Sequence, residues 1–191
     1  MKKVLSEAKK RNQLVSVYLK DSENFSVGLV DAVTDKHVRL RAVTKFGEFD
    51  GYKVRALKQI QAVSVGGKYE KKILVLLRAA SKIENIADLS KDIIDTDTSL
   101  LYSTLVHAQN LALPVTMWLV DESSMLGFVK KISKTQTVLH ALDEYGESNG
   151  DYFVATEEIT DVDCDNKMLR CLKVLHCHKK SPKALCVTAS V

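Results

Sequence analysis

Cysteine is scarce in this 191-residue chain and confined to one end: its four cysteines all lie at or beyond position 164. That is not the even framework of a secreted disulfide scaffold. No apolar run approaches the roughly 18–20 residues that a membrane-crossing helix needs. The opening MKKVLSEAKKRNQ is basic like the start of a signal peptide, but Ser6 and Glu7 interrupt it before an apolar region forms. The expectation is a cytoplasmic chain with no membrane partner. Catalytic motifs are missing too: no Ser-His-Asp or Cys-His arrangement stands out, so the chain is expected not to be an enzyme and to carry no cofactor.

Three metal or phosphate motifs fail on inspection. GGKYEKK (Gly66–Lys72) lacks the spacing and the Ser/Thr of a phosphate loop. DVDCDN (Asp161–Asn166) begins like a calcium loop, yet Asn166 stands where glycine is needed and Leu172 where glutamate is needed. The tail holds Cys164, Cys171, His176, Cys177, His178 and Cys186 without the short Cys-x2–4-Cys pairs of a zinc finger. On a helix Cys164, Cys171 and His178 align, but each step of seven rises roughly 10 Å, too far for one ion. A strand would put His176 and His178 on one face. Ordinary reduced cysteines are expected, with no metal site.

What the sequence has is a repeat. FGEFDGYKVRAL (Phe46–Leu57) returns as YGESNGDYFVAT (Tyr145–Thr156), with Gly47 and Gly51 recurring 99 positions on as Gly146 and Gly150. The same offset carries Leu14, Gly28, Val30, Leu40, Ala42, Ile60 and Val63 onto Leu113, Gly127, Val129, Leu139, Ala141, Ile159 and Val162. The matches fall on glycines and aliphatics, which set turns and cores. Two copies of one unit are expected rather than a solenoid.

The net charge of +4 conceals a division. Residues 1–82 hold 18 Lys/Arg against 8 Asp/Glu, residues 83–167 hold 5 against 16, and residues 168–191 hold 5 against none. Such asymmetry points to different partners for the two halves, or to attraction between them.

Each copy reads as about five short strands. VSVYLKD, FSVGLVDAV, HVRLRAV, YKVRAL and IQAVSV alternate apolar and polar residues between turn signals. Asp50-Gly51 and Asn149-Gly150 are favoured turn pairs, so Phe46–Leu57 reads as a hairpin loop, repeated at Tyr145–Thr156. Helices are expected before each set, on Val4, Leu5 and Ala8 and on Leu101, Leu105 and Ala108, the latter capped by Asp97 or Thr98 and followed by Pro114. Helices are also expected after each set, on a stripe of Tyr69, Ile73, Leu76, Leu77 and Ala80 and on its counterpart of Met168, Leu172 and Leu175. KKILVLLR alone suits a strand equally well. The domain reading is residues 1–82, an acidic connector 83–97, and residues 98–191.

A helix followed by five strands, with glycine in the second, is the layout of Sm-like small barrels. LVSVYLKDSENFSVGLVDAV (Leu14–Val33) resembles the first Sm motif through its apolar first strand, Phe25-x-x-Gly28, Val30 and Val33, followed by Asp35 at the turn and Leu40 in the third strand. It is particularly similar to the bacterial Sm-like RNA chaperones, and Val115–Ile132 repeats the pattern more loosely. SH3-like barrels give a related pattern. The fold class expected is mainly β with helices, α+β: two tandem five-stranded Sm-like or SH3-like barrels. The resemblance implies RNA binding and edge-to-edge association. Where the second Sm motif would fall, this chain has ALKQI, in which Lys58 is the cation, and the second copy has the acidic ATEEI.

If the Asp50-Gly51 loop joins the third and fourth strands, Arg39, Arg41, Lys53 and Arg55 share one outer surface, with Lys36, Lys45 and Lys58 near its ends. Like charges on adjacent strands repel, and an anion over them would explain the cluster. At the repeat offset those four become Val138, His140, Tyr152 and Val154, a largely apolar face expected to be covered as an interface. Two functions remain open: a non-catalytic RNA-binding protein, or an assembly module whose basic half meets an acidic protein surface, a homo-oligomer included.

Overall fold

The structure, a computed structural model, describes residues 1–20, 25–80 and 99–180. Alternating burial builds five strands in the first copy: β1 (Leu14–Leu19), β2 (Phe25–Val33), β3 (His37–Val43), β4 (Phe49–Ala56) and β5 (Ile60–Val65). The second copy supplies β6 (Pro114–Leu119), β7 (Ser124–Ile132), β8 (Gln136–Leu142), β9 (Ser148–Ala155) and β10 (Ile159–Cys164). A 3-10 turn precedes the last strand of each copy, at Leu57–Gln59 and Thr156–Glu158. From β2 and β7 onward the bounds repeat at the offset read from the sequence. The helices are α1 (Lys2–Lys10), α2 (Lys68–Ala80), α3 (Leu100–Asn110) and α4 (Lys167–Lys180). The chain is thus mainly β with helices.

All ten strands form one antiparallel sheet in the order β5-β1-β2-β3-β4-β10-β6-β7-β8-β9. Each half keeps the same internal order, with its fifth strand beside its first. No pairing among the described residues closes either half on itself, and the ten strands form one open sheet. The halves join where β4 of the first pairs with β10 of the second, Tyr52 opposite Cys164, Lys53 opposite Asp163 and Val54 opposite Val162. Among the described residues no helix is long and apolar enough to cross a membrane.

Two glycines allow the close approach of the second and third strands of each copy. A Cβ on Gly28 would sit 2.4 Å from the carbonyl oxygen of Arg41, and one on Gly127 2.1 Å from that of His140. No side chain tolerates that approach, which accounts for glycine at the same place in both copies.

The hairpin between β3 and β4 differs from the sequence expectation. Its turn is Thr44–Glu48, where Thr44 N–H donates to the Glu48 carbonyl (2.8 Å) and Gly47 N–H to the Thr44 carbonyl (3.0 Å). Asp50-Gly51 lies inside β4, and Asn149-Gly150 inside β9. The true turn and a bulge after Arg41 set a register in which Arg39 faces Val54 and Leu40 faces Lys53. A one-residue change of register moves every side chain to the opposite face. Arg39 and Arg41 therefore lie on one side of the sheet and Lys53 and Arg55 on the other. The second copy repeats this: Val138 faces Phe153 and Leu139 faces Tyr152.

Three apolar clusters hold the sheet. Leu5 and Ala8 of α1 pack with Val15, Val17, Val30, Val38, Leu40 and Ile60 inside the first copy. Ile73 and Leu77 of α2 cover Leu14, Val27 and Val43. The third cluster spans the joint: Leu100, Leu101, Leu105 and Ala108 of α3 pack on Met117, Leu139 and Val162 and also on Ala32 and Val54 of the first half. The helix expected over KKILVLLR is present as α2, but Tyr69 lies outside its buried stripe. In α4 the buried face is Leu169, Leu172 and His176, while Met168 and Leu175 are exposed. The expected stripe was rotated by one residue, because Met168 and Leu175 are as apolar as the residues that are buried. The tail is helical through His176 and His178 rather than extended. Asp97, Thr98, the connector 83–97 and Cys186 lie outside the described residues, and α3 begins with Ser99 as its N-cap.

Candidate nucleic-acid interface

The seven predicted cations separate into three environments. Arg39 is 1% exposed, with its Nε 2.5 Å from Asp31 Oδ2, its Nη1 3.5 Å from Thr104 Oγ1 of α3, and its guanidinium 5.5 Å from the Tyr52 ring. Arg55 is buried with Nη2 2.8 Å from Asp163 Oδ1 and its guanidinium 5.3 Å from the Trp118 ring; Lys53 Nζ is 3.8 Å from Asp163 Oδ2. These three are committed to the joint between the halves, which corrects the picture of one open basic surface. A buried cation without its carboxylate is strongly disfavoured, so these groups are structural counter-charges first.

Arg41 stacks 3.9 Å over Phe49, and Lys45 lies 5.1 Å from Phe46 at the hairpin turn. Both aromatic partners stay within the first copy, so these residues form a local ridge, exposed at Lys45 and Phe46 and half-buried at Arg41 and Phe49.

Lys36 and Lys58 behave differently. Both are exposed and line a cavity of about 900 Å³ between the halves. The turn before β3 carries Lys36, and the 3-10 turn before β5 carries Lys58. From the second half come Lys134, Tyr102, Thr156 and Glu157. Among the described residues, Lys36, Lys58 and Lys134 have no ion-pair partner. Two carboxylates also line the cavity, Asp35 and Glu157. Asp35 is bound by Lys2, which holds its carboxyl below the usual range. Lys134 was missed in the sequence, although a signal existed: it occupies in the second copy the same β2–β3 type of turn that carries Lys36 in the first.

His37 sits beside these lysines on the cavity wall, and its buried Nδ1 has no hydrogen-bond partner. Burial, followed by the charges of Lys36 and Lys58, pushes its imidazole below the ordinary His value. It is therefore neutral at pH 7. A buried ring nitrogen without a partner is uncommon in folded proteins and suits a site awaiting a polar ligand.

A second cavity of about 490 Å³ lies at the joint and is lined by Lys20, Lys53 and Arg55 against Glu122, Asp161 and Asp163. Its charges balance one for one, which gives an anion no net attraction. Burial raises the Asp161 carboxyl above its usual range, while its Oδ1 accepts the Ala56 N–H at 3.2 Å.

The predicted interface residues also divide. Val138 and Val154 are buried at 8% and 6% exposure, His140 is half-buried with Nδ1 2.8 Å from Asp151 Oδ1, and Tyr152 is exposed at 41%. Register places Val138 and His140 on the opposite face from Tyr152 and Val154, so they do not form one patch. Cys164 is buried, which drives its thiol up to about 12 and leaves it an inert core group; Cys171 and Cys177 are exposed. Among the described residues no three His, Cys, Asp or Glu side chains are grouped to hold a metal.

Comparison with known protein families, curated proteins and solved structures gives no match.

Proposed function

We propose that this chain is a non-catalytic RNA-binding protein built from two tandem Sm-like barrels, and that single-stranded RNA occupies the 900 Å³ cavity at their joint. The repeated five-strand order supports the tandem-barrel reading. One observation carries the ligand: Lys36, Lys58 and Lys134 converge from both halves on one cavity without ion-pair partners among the described residues. Phosphates would lie on these lysines, and Tyr102 offers a ring for a base. The acidic-surface reading has its own support in Lys53 and Arg55 on Asp163. There the acidic surface is the other half of the same chain.

The test is fluorescence anisotropy of labelled single-stranded RNA with the full chain at two salt concentrations. Each phosphate contact on a single strand contributes about 0.7 to the salt slope. Replacing Lys36, Lys58 and Lys134 together by Ser is expected to weaken binding at least ~10-fold and to reduce that slope by about 2. An unchanged slope would move RNA off this cavity.

His37 adds a pH dependence. Because its pKa is depressed in the free protein, the unfolded chain binds the proton more readily, and stability declines as pH falls through the ordinary His range near 6.5. A phosphate in the cavity has the opposite effect, since it favours imidazolium. RNA affinity is therefore expected to rise between pH 7.5 and 5.5, and His37→Gln is expected to flatten that rise. Anisotropy titrations at the two pH values check it.

A further inference from the structure

The second copy departs from the first at three positions that meet between α4 and the β8–β9 hairpin. At the repeat offset Arg41, Tyr52 and Leu77 become His140, Asp151 and His176. Leu77 packs on Leu14, Val27 and Val43 and is 7% exposed; His176 is buried to the same 7%. Leucine meets the packing need in the first copy, whereas a buried imidazole also has polar atoms to satisfy. The three replacements are connected. His140 on β8 has its Nδ1 2.8 Å from Asp151 Oδ1 on β9, and Asp151 Oδ2 accepts from Lys130 Nζ at 2.7 Å. His176 on α4 has its Nδ1 2.9 Å from the carbonyl oxygen of Gly146, in the turn between β8 and β9.

A carbonyl or a carboxylate only accepts, so both Nδ1 atoms carry the proton. In the neutral rings both Nε2 atoms therefore keep a lone pair. Neither Nε2 is a buried atom lacking a partner, and neither is hydrogen-bonded among the described residues, so both are open to solvent. An imidazole whose other N–H is tied to a carboxylate or a backbone carbonyl is the usual form of a metal-binding histidine. Here two such rings face one another.

We propose that His140 and His176 hold one divalent transition-metal ion between their Nε2 atoms, with Asp151 and the Gly146 carbonyl as outer supports. The ring centres are 6.2 Å apart and the ring planes cross at 63°. With Nε2–metal bonds of about 2.0 Å, rings sharing a tetrahedral ion have centres about 5.2 Å apart, and rings on opposite sides of an ion about 6.3 Å apart. The observed separation matches opposite positions. That suits the tetragonal coordination of Cu²⁺ or Ni²⁺ rather than tetrahedral Zn²⁺, and of these Cu²⁺ binds most tightly. No third His, Cys, Asp or Glu is grouped with the pair among the described residues, so water fills the remaining positions. Lys130 is neutralised by Asp151 and Lys179 by Glu147, so neither ammonium opposes the ion. One ligand comes from a strand and the other from a helix, so the ion fastens α4 to the sheet. None of this depends on the RNA reading.

Titration of the full chain with Cu²⁺ tests the proposal. Iodoacetamide first blocks the exposed Cys171 and Cys177, so that thiols neither bind nor reduce the ion. One Cu²⁺ per chain is expected, with the electron paramagnetic resonance of a tetragonal site coupled to two imidazoles. Saturation is expected to raise the melting temperature, because only the folded chain brings strand and helix together. His140 is half-buried, so His140→Ala is expected to keep the wild-type circular dichroism. It is expected to weaken binding more than ~10-fold and to abolish the rise in melting temperature. Asp151→Asn is expected to weaken binding ~10–100-fold while the two-imidazole signal returns at saturation. His178→Ala, at an exposed position two residues along α4, is expected to change neither. Binding that is unaltered in His140→Ala overturns the proposal. So does a wild-type spectrum without coupling to two imidazoles.

Discussion

Asp163→Ala is expected to lower the free energy of unfolding by about 3–5 kcal/mol, the range seen when a buried ion pair loses one partner. Asp163 and Arg55 have side-chain exposures of 9% and 7%, so solvent screens their attraction little. The substitution removes the carboxylate ion-paired with the Arg55 guanidinium, which stays buried against the Trp118 ring, and it also removes the counter-charge of Lys53. The joint itself does not require charge. Replacing Arg55 and Asp163 together by Leu is expected to recover most of the loss, since apolar groups of similar size often match a buried pair in stability. Urea denaturation, followed by circular dichroism, separates the cases by midpoint at constant slope. A loss below about 1 kcal/mol for Asp163→Ala, the scale of a surface pair, would mean that β10 does not lie on β4 as described.

Gly51→Ala is expected to cost about 3 kcal/mol or more, and Gly150→Ala only about 1–2 kcal/mol. Both glycines have positive φ, so both substitutions carry the penalty of a left-handed conformation. Only Gly51 also abuts the backbone of Cys164, Asp165 and Asn166, each within 2.5 Å of the added Cβ. Backbone atoms cannot move aside as a flexible side chain can, so the joint must open. Equal losses at the two positions would contradict the joint.

The repeat and its strands were legible because glycine and aliphatic spacing is dictated by bends and core contacts. Gly28 and Gly127, in van der Waals conflict with any side chain, report the fold directly. Register was not legible. Alternation shows that Arg39 and Arg41 share a face and that Lys53 and Arg55 share another, but not whether those faces coincide. That depends on the turn at Thr44–Glu48, on the bulge after Arg41 and on the bend at Gly51, and Asp50-Gly51 imitated a turn while lying within a strand. Nor could the burial of Arg39 be read, because Asp31 and Thr104 meet it only in three dimensions. At the candidate site Lys36 and Lys58 were visible as cations at turns. Lys134 was legible at the matching turn of the second copy, whereas Tyr102 and the unpartnered His37 entered only with the three-dimensional structure.

Ultraviolet cross-linking of a uridine-rich RNA to the full chain, mapped by mass spectrometry, tests the central claim most directly, that RNA lies in the cavity shared by the two halves. The account predicts adducts on peptides containing Lys36, Lys58, Tyr102 or Lys134, drawn from both halves in one complex. Adducts confined to the Arg41, Lys45 and Phe46 ridge, or none under conditions where anisotropy shows binding, would contradict it.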